Sequence, residues 1–202
     1  MKLRVEAAQL HHPLIRELRL VAPDGVALPG FSAGAHVRVQ VSLAGGVTEW
    51  RHYSLINSSP TADALAAPTH YRIAVRVEDT GRGGSRYMHQ QVAVGQTLLV
   101  EPPRNEFELG THTGCAVLVA GGIGVTPLIA MATTRRAQGA AVRMHYAGRS
   151  RAQMAFVPEL QALLADQLHL HVDEEAGAPL NVAALLDACA ADDVLYVCGP
   201  KP

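Results

Sequence analysis

Between the apolar run Cys115-Ala116-Val117-Leu118-Val119-Ala120 and a helix-forming stretch lies Gly121-Gly122-Ile123-Gly124-Val125-Thr126-Pro127. Glycines after a buried strand let backbone N–H groups approach an anion, and the N-terminus of the next helix favours negative charge. The segment reads as a pyrophosphate-binding loop, with a ligand-free tight turn as the alternative. Pro127 takes the place of the third glycine of the common dinucleotide fingerprint, so that fingerprint is not met. Arg51-His52-Tyr53-Ser54-Leu55 carries a guanidinium, a phenol and a hydroxyl on one extended segment. Such a set suits a planar anionic cofactor, or simply an ordinary strand with Arg51 and Tyr53 on one face. Gly81-Arg82-Gly83-Gly84-Ser85 offers free amides, a cation and a hydroxyl, which make a phosphate cradle or a flexible turn.

Other reactive side chains point to less. His11 and His12 are adjacent on an extended segment and face opposite ways, so they are not expected to share a metal, and no metal site is expected elsewhere. Cys115, Cys189 and Cys198 are odd in number and lack a C-x2-C spacing, which argues against disulfides and cysteine zinc sites and for a reducing, cytoplasmic interior. Cys198 ends an apolar strand where open α/β sheets bind ligands. It reads either as packing or as a neighbour of the ligand, and Cys115 and Cys189 read as core residues.

The elements that must hold these residues change character along the chain. Up to about residue 100, short alternating strands recur at Leu18–Val21, His36–Val41 and Tyr71–Val77, separated by Gly- and Pro-bearing turns, with a short helix over Ser85–Gln91. This pattern predicts an N-terminal antiparallel β-barrel or sandwich. From about residue 110, buried strands at Cys115–Ala120, Val142–Tyr146, Leu168–Val172 and Val194–Cys198 alternate with helices. The first helix has Thr126 as N-cap, Pro127 at its first position and Gly139 as its stop, and two more lie near Ala152–Ala165 and Val182–Ala190. That alternation predicts a doubly wound α/β parallel sheet. The expected boundary divides residues 1–104 from 105–202. Only four residues follow the last strand, too few for a covering helix, so the second unit reads as cut.

The 202 residues are 49% hydrophobic and 17% charged, enough for a sizeable core. A formal charge of −1 gives no global electrostatic reason to bind nucleic acid or an anionic membrane. No apolar run approaches the roughly 18 residues of a membrane span, and the charged N-terminus is unlike a signal peptide.

Taken in order, Arg51-x-Tyr53-Ser54-Leu55, Gly81–Ser85, Pro103-Arg104-Asn105-x-Phe107, Gly121–Pro127 and Cys198-Gly199-Pro200 resemble the ferredoxin-reductase superfamily over nearly the whole chain. The set is most similar to its phthalate-dioxygenase-reductase and vanillate-demethylase-reductase group. The resemblance implies a flavin on the barrel, FMN rather than the FAD of many relatives. Arg51, Tyr53, Ser54 and Leu55 match the flavin-lining segment, and Arg82, Gly83, Gly84 and Ser85 match its phosphate loop. A nicotinamide dinucleotide on the parallel sheet would meet Gly122, Gly124 and Thr126, and then Cys198, Gly199 and Pro200 beside the nicotinamide. Hydride passes from the nicotinamide to the flavin by positioning and needs no acid–base residue, with Ser54 and Cys198 the nearest side chains. The group also implies a plant-type 2Fe–2S domain. Its C-x4-C-x2-C spacing is missing here, so that centre is expected in an absent domain or a separate partner, passing electrons to a Rieske-type aromatic oxygenase or O-demethylase. The rival readings are an FAD-dependent NADPH–ferredoxin reductase and a passive flavin-binding electron-transfer subunit.

For the nucleotide, residues and resemblance pull apart. Ala147-Gly148-Arg149-Ser150-Arg151 follows the second parallel strand with no acid, which suits the 2′-phosphate of NADPH. The resembled group generally uses NADH, and Asp173, Glu174 and Glu175 after the third strand would repel that phosphate if they face the same crevice. NADH is the expected donor, with Arg149 and Asp173 the residues at issue.

Overall fold

The computed structural model describes residues 1–61 and 63–200. Its first half runs β1 (Lys2–His12), β2 (Ile15–Val21), β3 (His36–Ser42), β4 (Thr48–Ser54), α1 (Asp63–Ala66), β5 (Tyr71–Arg76), α2 (Gly84–Gln90) and β6 (Thr97–Leu99). Antiparallel pairing joins β5-β2-β1-β6 in one sheet and β3-β4 in another. Two bridges join the sheets into a ring: Val39 with Val100, just past β6, and Ile56, just past β4, with Arg72 of β5. This is the expected antiparallel barrel. The period of two along β3 turns Val37, Val39 and Val41 inward, where all three are fully buried against Leu3, Leu18, Leu20 and Ile73. Each such side chain contributes about 1.5–3 kcal/mol through burial. Strand β1 is not legible as an alternation because bulges between Val5 and Ala7 and between Leu10 and His12 break its period.

The second half runs β7 (Ala116–Gly121), α3 (Val125–Ala137), β8 (Val142–Gly148), α4 (Val157–Leu164), β9 (Leu168–Val172), α5 (Asp173–Ala176), α6 (Val182–Asp187) and β10 (Val194–Cys198). All pairs are parallel, in the order β10-β7-β8-β9. Strand β7 is covered on both faces, as its unbroken apolar run predicts. Ala116, Leu118 and Ala120 share a core with Leu128 and Ile129 of α3 and Leu160 of α4, while Val117 and Val119 pack with Leu185 of α6.

Two helix starts differ from expectation. A 3₁₀ turn over Gly122–Gly124 runs directly into α3, so Gly124 is the N-cap and Pro127 lies further inside the first turn. Thr126 is not the cap; its hydroxyl donates backwards to the Ile123 carbonyl at 3.0 Å. The helix expected over Ala152–Ala165 starts late, at Val157, after a separate 3₁₀ turn at Arg151–Gln153. Pro158 lacks an N–H and its ring would meet the carbonyl four residues back, so the helix cannot run through from Ala152. The expected stop of α3 holds: Gly139 takes a left-handed φ of 65°.

Candidate functional site

A crevice of about 740 Å³ opens at the carboxyl ends of β7, β8 and β10. Its floor is the glycine loop, and the glycines divide by task. A Cβ on Gly124 would lie 2.2 Å from the Cys198 carbonyl oxygen, and one on Gly121 would lie 2.9 Å from Pro200 Cδ. These two glycines let the loop touch Cys198-Gly199-Pro200 backbone to backbone. Gly122 instead has a left-handed φ of 53° and nothing within 4 Å of a Cβ, so backbone conformation rather than packing calls for glycine there. Arg149 and Asp173 line the same crevice, with the Glu174 N–H donating to the Arg149 carbonyl at 3.1 Å. Arg151 does not join them. The far wall belongs to the barrel, through His12, Leu14, Ile15 and Arg76.

A second cavity, of about 320 Å³, lies between β4 and the end of β10 and is lined by Ser54, His36, His52, Phe107, Pro127 and Cys198. Val197 and Cys198 line both openings. Burial pushes the Cys198 thiol up, which keeps it a neutral packing group rather than a thiolate nucleophile. Ser54 and Cys198, carried by different halves of the chain, therefore face one space.

On the other face of β4, Arg51 and Tyr53 point together, as alternation requires. Burial pushes the Tyr53 phenol up to about 12. A Cβ on Gly84 would meet Arg51 Nε at 2.9 Å, so the glycine at the start of α2 makes room for the guanidinium. Gly83 holds a φ of 94°, and the Ser85 hydroxyl accepts the Glu78 N–H at 3.1 Å. Arg82 is exposed and sits 3.6 Å from the Glu49 carboxylate, which also pairs with Arg51. One acid thus lies between the two cations expected at a phosphate.

No protein-family model matches the chain. It is 40% identical to the toluene-4-sulfonate monooxygenase system reductase subunit of Comamonas testosteroni, over 92% of this chain and 56% of that one. It is 37% identical to the vanillate O-demethylase oxidoreductase of Acinetobacter baylyi, over 93% and 56%. Among solved structures it superposes on phthalate dioxygenase reductase with a TM-score of 0.86 at 32% identity, covering 99% of this chain and 60% of that one. Over nearly its whole length the chain is homologous to the oxygenase reductases of the ferredoxin-reductase superfamily. It spans little more than half the length of these curated relatives.

Of the residues singled out from the sequence, Gly122, Arg149, Asp173, Cys198, Gly199 and Pro200 come together in the crevice, and Arg51 with Gly84 at the start of α2. Three others are enclosed by the protein itself. Leu55 is fully buried in the barrel core, Thr126 is buried with its hydroxyl bonded to Ile123, and Gly124 is filled by the Cys198 backbone. The sequence reading missed His12 and Arg76, whose place in the crevice depends on how the barrel docks, and missed His36 and His52, whose rings lie 4.8 Å apart. Alternation along β4 does place His52 beside Ser54, and that signal was available. Among the described residues no cluster of three or more His, Cys, Asp or Glu could hold a metal ion, and no helix is long and apolar enough to cross a membrane.

Proposed function

We propose that this chain is the flavin- and nucleotide-binding core of an oxygenase reductase, an oxidoreductase carrying hydride from NADH to FMN. Electrons would then pass singly to a 2Fe–2S centre and a Rieske-type oxygenase or O-demethylase. The reading rests above all on one observation: Val197 and Cys198 line both the nucleotide crevice and the cavity that reaches Ser54. Two ligands held in adjoining openings would meet at that shared wall. Residues 1–104 serve as the flavin-binding unit and 105–202 as the nucleotide-binding unit. Three free cysteines suit a reducing, cytoplasmic setting.

The residues fit both groups. Gly122 lines the crevice with open space beside its Cα, and Arg51 and Arg82 bring cationic charge to the glycine turn before α2. When bound, the flavin supplies the conversion between hydride chemistry and one-electron chemistry. Tyr53 would cover one part of a planar ring, Ser54 would offer its hydroxyl to a ring heteroatom, and the neutral Cys198 would exclude water where the two ligands meet. Arg149 would meet the adenosine end of the dinucleotide, and Asp173 would disfavour a 2′-phosphate there.

The test is direct. Flavin released from the purified protein should have the mass of FMN, and anaerobic NADH should bleach its visible band without a partner protein. A flavin that stays oxidised under NADH would replace this reading with a passive electron-transfer subunit.

A further inference from the structure

Arg72 of β5 points out of the barrel into a set of polar side chains from both halves of the molecule. Its Nε donates to Glu17 Oε1 at 2.6 Å, and its Nη1 and Nη2 donate to Glu159 Oε1 and Oε2 at 3.0 and 3.1 Å. Glu17 belongs to β2 of the barrel, whereas Glu159 belongs to the first turn of α4, on the parallel sheet. Ser58 Oγ accepts from Nη1 at 2.9 Å, and His11 Nε2 lies 2.7 Å from Glu17 Oε2. The side chains of Arg72, Glu17 and Glu159 are only 20%, 12% and 27% exposed, unlike ordinary surface pairs. Against the opposing effect of burial, hydrogen bonds from His11 and Arg72 hold the Glu17 carboxyl down at about 2. Beside them Phe156 adopts a left-handed φ of 64°, rare for a bulky residue, and its ring lies 4.4 Å from that of His11. A fork of two paired N–H donors fixes direction as well as distance, which a lone surface lysine would not.

The same strand leads to the nucleotide crevice. Arg72 and Arg76 lie four residues apart on one face of β5, roughly 13 Å along the strand. Arg76 pairs in register with Ile15, and both line the crevice wall facing Gly121 and Gly122. A small rotation about Arg72 would therefore move the barrel-borne wall against the sheet-borne loop.

We propose that the Arg72–Glu159 ion pair, braced by Glu17, is the directional joint that, beside the apolar contacts of Ile15, Ile56 and Ala74, sets the angle of the barrel against the parallel sheet, making Arg72 and Glu159 positioning residues for hydride transfer. The hydride step rests on the function proposed above; the joint itself does not.

The experiment uses Glu159→Gln, which removes the charge from this link and leaves Arg72 its barrel partner Glu17 and the halves their apolar contacts through Ile15, Ile56 and Ala74, so that folding is retained. In anaerobic stopped-flow with NADH, the limiting rate of flavin reduction should fall about tenfold, while FMN content and NADH Kd stay within about twofold of wild type. Glu159→Asp, with the charge on a shorter arm, should fall between the two. Amide hydrogen exchange should quicken at residues 156–160 in Glu159→Gln but not in β1 or β2. An unchanged limiting rate overturns the positioning role, as does a loss that appears instead in FMN content or NADH Kd. If wild type is not reduced by NADH at all, the proposed function fails, and exchange alone judges the joint: unchanged exchange at residues 156–160 overturns it.

Discussion

Arg151 donates through Nε and Nη2 to the two carboxylate oxygens of Glu175, at 2.6 and 2.8 Å. The hydrogen bonds from Arg151 hold the Glu175 carboxyl below the usual carboxylate range. Of the two arginines after β8, one thus has an exposed partner outside the crevice, while Arg149 lines the crevice with Asp173. Wild type is therefore expected to have the higher kcat/KM with NADH. Arg151→Ala should leave the NADH:NADPH ratio within about twofold, and Asp173→Ala should raise relative use of NADPH about tenfold, the worth of one removed like charge. A wild-type preference for NADPH would overturn the assignment.

At the other opening, the double variant Arg82→Ala with Ser85→Ala should weaken FMN about tenfold or more while hardly touching riboflavin, because only FMN carries the phosphate. Isothermal titration of the flavin-free protein with each ligand measures this. Equal losses for the two ligands would remove the phosphate role.

Gly124→Ala and Gly122→Ala should separate packing from conformation. At Gly124 the added methyl meets the Cys198 carbonyl, an overpacking expected to cost about 1–3 kcal/mol and to part the loop from β10. At Gly122 the methyl meets nothing, and the left-handed φ alone costs about 1 kcal/mol. The melting temperature should fall further for Gly124→Ala; the reverse order would contradict this division of tasks between the two glycines.

On the outer face of β8 and β9, His145 Nδ1 and His171 Nε2 lie 3.1 Å apart, with His169 stacked 4.8 Å from His145. Burial first, then His169, His171 and Arg143, holds His145 down to about 4 from an ordinary 6.5. With the folded value below the unfolded one, the unfolded chain takes up the proton first as pH falls. This contribution to stability is complete above about pH 6.5 and is lost towards pH 4. His145→Gln should flatten the melting-temperature profile in that window; an unchanged slope would show that other groups govern it.

Much of this architecture was legible because local pattern and tertiary role coincide. The Val37-Val39-Val41 alternation sits on the barrel wall, and Leu168–Val172 and Val194–Cys198 are strands with the bounds the sequence suggests. The glycine loop was legible as a loop but not in its details. Chain order does not tell that Gly124 is occupied by a distant carbonyl while Gly122 is free. Arg72, Glu17 and Glu159 carried no signal at all, since their spacing is set by how the two halves of the chain meet. Arg76 and His12 were hidden for the same reason.

Arg72 also has a backbone role. Its carbonyl accepts the Ile56 N–H at 2.9 Å, which is the seam that joins β5 to the strand leaving β4. The main chain of this residue thus fastens the hoop of the barrel while its side chain holds the neighbouring layer. Breathing of the barrel at that seam would slacken the grip between the halves at the same instant, so the two motions share one free-energy cost and are felt together as a single cooperative opening.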